Sequence, residues 1–287
     1  IITNNIENAT DYGLLAVAVY KDSVVDELSS DTFETRLTAN DGGGQSYFSA
    51  ELATELGIKY SYVDSMNDSA SDFQAVLLHE NLTNKYVIAI RGTASLSDTV
   101  IADTQIGTLG IAFNQAVSMK VFMDRVKPQL PQGAELDVTG HSLGGHLTTI
   151  LMGMEPDLVN NIYTWNGAGV LDTPISDLTQ TVVDAINIWG TGVYSEAAQY
   201  ILDNYDSFIS ELKKSSVQDR ITNYVVGADI VSEIGTNYSA DGETFIYTET
   251  ENVNSAVAHF SSPITDALLL QRLMGEIDSS VIYTDLI

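Results

Sequence analysis

The chain contains no cysteine, so neither a disulfide nor a thiolate metal site can contribute to it, and nothing in it reports a redox compartment. Basic residues are scarce: 12 Lys and Arg stand against 39 Asp and Glu, a formal net charge of −27. Such a surface repels a phosphate backbone, which argues against nucleic acid as a partner and disfavours strongly anionic membranes unless divalent cations bridge the charges. Solubility, including in salty surroundings, accounts for the acidity without any specific partner. Long hydrophobic runs are missing as well; Leu14 to Val19 is too short to cross a bilayer, and no transmembrane segment is expected. No basic start followed by an apolar run opens the chain, which begins at Ile1, as expected of a processed or excised piece. Internal repeats and tandem glycine-aspartate calcium repeats are absent, and Asp41-Gly42-Gly43-Gly44 reads as a loop. Calcium is conceivable from the carboxylate density, yet no ligand pattern is readable; no metal site and no cofactor are expected.

What is present is ample core material: 44% of 287 residues are hydrophobic, enough for one large domain spanning 1–287. Strand-like runs alternate with helical ones, which predicts an α/β chain with a mainly parallel central sheet and helices on both faces. Thr10 to Tyr20 reads as a buried helix, Ser49 to Leu56 as a short helix broken by Gly57, and Ile58 to Val63 and Phe73 to Leu78 as strands. Lys85 to Ile90, with Tyr-Val-Ile-Ala-Ile uninterrupted, has the pattern of a central strand covered on both faces. Phe113 to Val126 is helical by periodicity and ends before Pro128; Asn161 to Trp165 and Ile221 to Val226 are further strands, and Ile264 to Met274 is a final helix.

The densest signal is Thr139-Gly140-His141-Ser142-Leu143-Gly144-Gly145. An apolar run, Ala134 to Val138, precedes it and a helical pattern, Leu147 to Met154, follows, so it reads as strand, sharp turn, helix. Gly-x-Ser-x-Gly in that setting holds a serine clear of the backbone, and the N–H of the next residue lies where a helix dipole can stabilise an oxyanion. Ser142 is the candidate nucleophile and Leu143 an oxyanion donor. The plainer alternative is a glycine-rich connection with a helix-capping serine. A second candidate donor is Thr93, in Arg91-Gly92-Thr93 after the central strand, where glycine lets the backbone approach a substrate and the threonine offers N–H and hydroxyl; its alternative is an ordinary solvated turn.

Ile88 to Thr93, with Ile101-Ala102-Asp103 and Thr139 to Gly145 after it, resembles the class 3 lipases, the fungal-type α/β-hydrolases and their bacterial relatives. The resemblance implies an α/β-hydrolase fold, an oxyanion role for Thr93 and a lid after it, although Ile111-Ala112-Phe113 stands where that family has histidine-glycine-phenylalanine. Asp229-Ile230-Val231, at the end of a strand, looks like the family's aspartate, and a carboxylate there would orient a histidine; Asp241 is the reserve. Only four histidines exist. His141 is badly placed to take a proton from its neighbour, His146 points along the helix into packing, and His79 precedes the serine, against the Ser, Asp, His order of this fold; His259 remains as the base.

Residues 172–219 interrupt the core pattern with two helical segments, the second placing Ala197, Ile201, Tyr205, Phe208 and Leu212 on one face. They form a helical insertion after the nucleophile helix, read either as a cap over the site or as helices packed on the sheet. The expectation is a serine carboxylic ester hydrolase cleaving lipid or other apolar esters, working at a lipid–water interface and exported from the cell. Phospholipase A activity, a peptidase or thioesterase, and a catalytically silent binding module of a larger secreted protein are the alternatives.

Overall fold

The computed structural model describes residues 2–40, 48–92, 111–170, 172, 192–226, 232, 235–246 and 269. Three helices lead the chain: α1 (Ile2–Ala18), α2 (Phe33–Thr38) and α3 (Ala50–Lys59). The strands β1 (Tyr60–Asp68), β2 (Phe73–Glu80) and β3 (Lys85–Ile90) follow, then α4 (Phe113–Val126), β4 (Glu135–His141), α5 (Leu143–Met154) and β5 (Val159–Trp165). After them come α6 (Val193–Leu212), the short α7 (Ser215–Gln218), β6 (Ile221–Val226) and β7 (Glu243–Ile246). Among the described residues these strands make one seven-stranded sheet in sequential order. The pairs β1–β2 and β2–β3 are antiparallel, and β3 through β7 run parallel.

Strict alternation along the central strands divides the core. Ala75, Leu77, Ile88, Ile90, Val138 and Ile162 face α4, α5 and α6, whereas Val76, Leu78, Val87, Ala89 and Trp165 face α1, α2 and α3. Both sides of β2 and β3 are therefore apolar, the condition for strands covered by helices on both faces.

The helix read as broken at Gly57 in fact continues to Lys59. Gly57 is there for space: a Cβ on it would lie 2.6 Å from Glu34 Cβ, so the missing side chain lets α2 and α3 touch. Ser49 caps α3 by accepting from the Leu52 N–H at 3.2 Å.

One face of β4 is polar and is tied to α1. Buried Asp137 accepts a hydrogen bond from Tyr12 Oη at 2.6 Å and others from the Asn161 N–H and side-chain amide at 3.0 and 3.2 Å. Two residues on, Thr139 Oγ1 donates to Tyr12 O at 3.0 Å and accepts from Trp165 Nε1 at 3.0 Å. Both polar side chains that β4 buries here, Asp137 and Thr139, are thus matched, as burial demands.

Within residues 172–219, the segment 193–212 is a core helix. Ala197, Ile201, Tyr205, Phe208 and Leu212 are all buried against α4 and α5. Its approach to α5 is close enough that a Cβ on Gly153 would lie 2.9 Å from Phe208 O. Residues 173–191, the other part considered as a cap, lie outside the described residues, as do those of the expected final helix except Leu269. A mobile cover would tolerate truncation, but a core helix does not: Phe208→Ala is expected to cost about 3–5 kcal/mol, read as a lowered urea midpoint at unchanged m-value.

Candidate active site

The site grows from the end of β4. Parallel pairing sets Gly140 beside Ile90 on one flank and beside Thr164 on the other, with His141 opposite Trp165. The Ser142 N–H then donates to Trp165 O at 2.9 Å, carrying the ladder one residue past the strand before the chain reverses into α5. At the reversal Ser142 has φ 59° and ψ −125°. A side-chain-bearing residue held there carries about 1–3 kcal/mol of backbone strain. The surroundings over-determine it: the Gly145 and His146 N–H groups donate to Ser142 O at 2.9 and 3.3 Å. A Cβ on Gly140 would stand 2.4 Å from Gly144 C, and one on Gly144 would stand 2.2 Å from Ile90 O. The two glycines let the turn fold flat against the end of β3.

Leu143 is the first residue of α5. The leading N–H groups of that helix, with the positive end of its dipole, lie at the turn where negative charge on a reacting oxygen would be stabilised.

Gly92 brings the end of β3 onto the same turn. A Cβ there would lie 2.5 Å from His141 O and 3.0 Å from Ser142 Cβ. Arg91 beside it is buried and pairs through Nη2 with Asp72 Oδ1 at 2.5 Å, while its N–H donates to Gln74 O at 2.9 Å. The chain position that leads to Thr93 is thus held against the serine. Thr93 itself, Asp229 and His259 lie outside the described residues. The strand preceding Asp229, β6, ends at Val226 on the same edge of the parallel sheet as Ser142.

Topology removes two alternatives. His79 lies near the C-terminal end of β2, which runs antiparallel to β3, so it sits at the opposite edge from Ser142, with Nε2 3.2 Å from Thr83 O. Asp241 is exposed and precedes β7, again at that far edge. The two histidines near the serine are engaged elsewhere. His141 Nδ1 is 2.8 Å from Tyr20 Oη. His146 is fully buried, with Nδ1 2.9 Å from Gly169 O and Nε2 accepting the Ala112 N–H at 3.3 Å. One neutral ring therefore joins α5 to the start of α4 and to the loop after β5, and burial lowers its pKa to about 4. Neither Tyr20 nor His146 stands out in the sequence as part of the site; their partners are distant in the chain.

Comparison with solved structures places the fold. A mutant form of MDLA from Penicillium cyclopium is similar at 14% identity, with 90% of this chain and 86% of that one covered and a TM-score of 0.54. A structure described as a fungal lipase is similar at 13% identity, with 90% and 86% covered and a TM-score of 0.50. The chain is an α/β-hydrolase by fold. Lip2 lipase from Yarrowia lipolytica also aligns, at 17% identity over 89% of this chain and 82% of that one, with a TM-score of 0.49. No protein-family model and no curated protein matches the sequence. Among the described residues no cluster of His, Asp and Glu is arranged to hold a metal ion, and no helix is long and apolar enough to cross a membrane.

Two expectations follow. Gly144→Ala drives a methyl into the Ile90 carbonyl, a backbone atom that cannot step aside; a loss of about 1–3 kcal/mol or more is expected, together with a slower reaction of Ser142 with a fluorophosphonate. His146 is neutral when folded, whereas its unfolded counterpart binds a proton below the ordinary pKa of 6.5. Stability therefore falls as pH drops from 6.5 towards 4, by about 3 kcal/mol in total at 1.4 kcal/mol per unit. Urea melts of the wild type and His146→Gln across that range should differ by this slope.

Proposed function

We propose that this α/β-hydrolase is a serine carboxylic ester hydrolase acting on lipid or similarly apolar esters. The observation that carries the reading is the strained backbone of Ser142 between β4 and the N-terminus of α5, with Gly92, two residues after β3, packed on it. Strain of this kind is kept where it presents a reacting group. The likeness in fold to a fungal lipase supports the substrate class, as do the motifs around Thr93 and Ser142.

In the proposed reaction Ser142 Oγ attacks the ester carbonyl and its proton passes to His259, held by Asp229. The Thr93 and Leu143 N–H groups receive the oxyanion. Collapse expels the alcohol, protonated by His259, and leaves an acyl-serine. Water, deprotonated by the same histidine, then attacks the acyl carbon and releases the acid. No cofactor enters either step. The engagement of His79, His141 and His146 elsewhere supports His259 in the role of base. Acylglycerols and phospholipids are both within the substrate class; an acidic, cysteine-free surface and the sequence resemblance favour work outside the cell.

Treatment with a fluorophosphonate should give one adduct, mapped to Ser142, that Ser142→Ala and His259→Ala lose. Hydrolysis of acylglycerol and phospholipid panels should fall about 10⁴-fold or more in Ser142→Ala. An unlabelled wild type in the presence of detergent or lipid would point instead to a binding module with a silent hydrolase fold.

A further inference from the structure

Tyr20 sits one turn beyond α1, its N–H donating to Val17 O at 3.1 Å, and that helix is pinned to β4 through Tyr12. From there its hydroxyl reaches His141 Nδ1 at 2.8 Å, with the two rings edge to face at 5.8 Å. A methyl group built on Gly92 would lie 2.6 Å from Tyr20 Oη and 3.0 Å from Ser142 Cβ. The phenol oxygen is thus bonded at the end of β4 and lies close against the glycine that follows β3, beside the turn at Ser142.

The phenol hydroxyl lies within donating distance of His141 Nδ1. Burial pushes the phenol's pKa up, so the proton stays in place throughout the working range, even though the Arg91 charge opposes the shift.

We propose that Tyr20 is a positioning residue for hydrolysis at Ser142, its hydroxyl fixing the gap between the β3 end that leads to the oxyanion donor Thr93 and the turn that carries the nucleophile. This rests on the hydrolase reading above. Misplacing a reacting group by a fraction of an ångström is costly in rate while leaving substrate affinity nearly intact.

The test compares the full chain with Tyr20→Phe, His141→Leu, His141→Asn, the Tyr20→Phe/His141→Leu pair and Ser142→Ala, on a soluble short-chain p-nitrophenyl ester. Tyr20→Phe keeps the ring and its packing and should lower kcat about 10-fold, with KM within about twofold and Tm close to wild type. His141→Leu should do the same. The pair should be no slower than either single change, because both remove one interaction. His141→Asn, which keeps an acceptor near the Nδ1 position, should recover most of what His141→Leu loses. A Tyr20→Phe protein with wild-type kcat and wild-type fluorophosphonate labelling overturns the assignment, as do losses that multiply in the pair. Should Tyr20→Phe fold poorly, equal rates for His141→Leu and His141→Asn overturn it alone. If the wild type is no faster than Ser142→Ala, the hydrolase reading fails and the role of Tyr20 falls with it; an active wild type with an equally active Tyr20→Phe removes only the latter.

Discussion

The hydrogen bond from the Ser142 N–H to Trp165 O carries more of this architecture than its length suggests. It extends the β4–β5 ladder one residue past the strand, so the reversal into α5 must take place at a residue with a side chain and a positive φ. Everything around that point is shaped to tolerate it. Gly140 and Gly144 surrender their side chains, Ile90 O fills the vacated space, and Gly92 closes the other side. The strain is repaid by two neighbouring strands and a helix, which is why it persists.

That dependence explains what the sequence made legible. The β3, α4 and β6 boundaries read from hydrophobic patterning agree with the structure because those segments are covered by neighbours that match their periodicity. The turn at Ser142 was legible for a different reason: its glycines are required by close approach within a few residues, so cause and pattern lie together in the chain.

Where cause and effect are far apart, the pattern is silent. Gly57 looks like a helix breaker until Glu34 is seen against it. The amphipathic face of α6 serves a lid or a core equally well until α4 and α5 are seen to bury it. Tyr20 is an ordinary tyrosine after an ordinary helix, and only the fold sets it beside His141. Such residues are defined by packing between distant segments, which no local propensity encodes. The positions of Thr93, Asp229 and His259 rest on motif and chain order.

The polar face of β4 presents Asp137, Thr139 and His141 to Tyr12 and Tyr20, a row of alternate residues bonded to the first helix and the turn that follows it. These bonds join partners 125, 127 and 121 positions apart. Loops of that length close late, because their entropy must be lost before the contacts return anything. This helix is therefore made long before its partner strand and is among the last elements to find its seat. Until it does, Asp137, in the strand beneath Ser142, lacks its Tyr12 donor and His141 lacks its contact with Tyr20. Assembly of the site is in this sense a report that the whole central sheet is already in place.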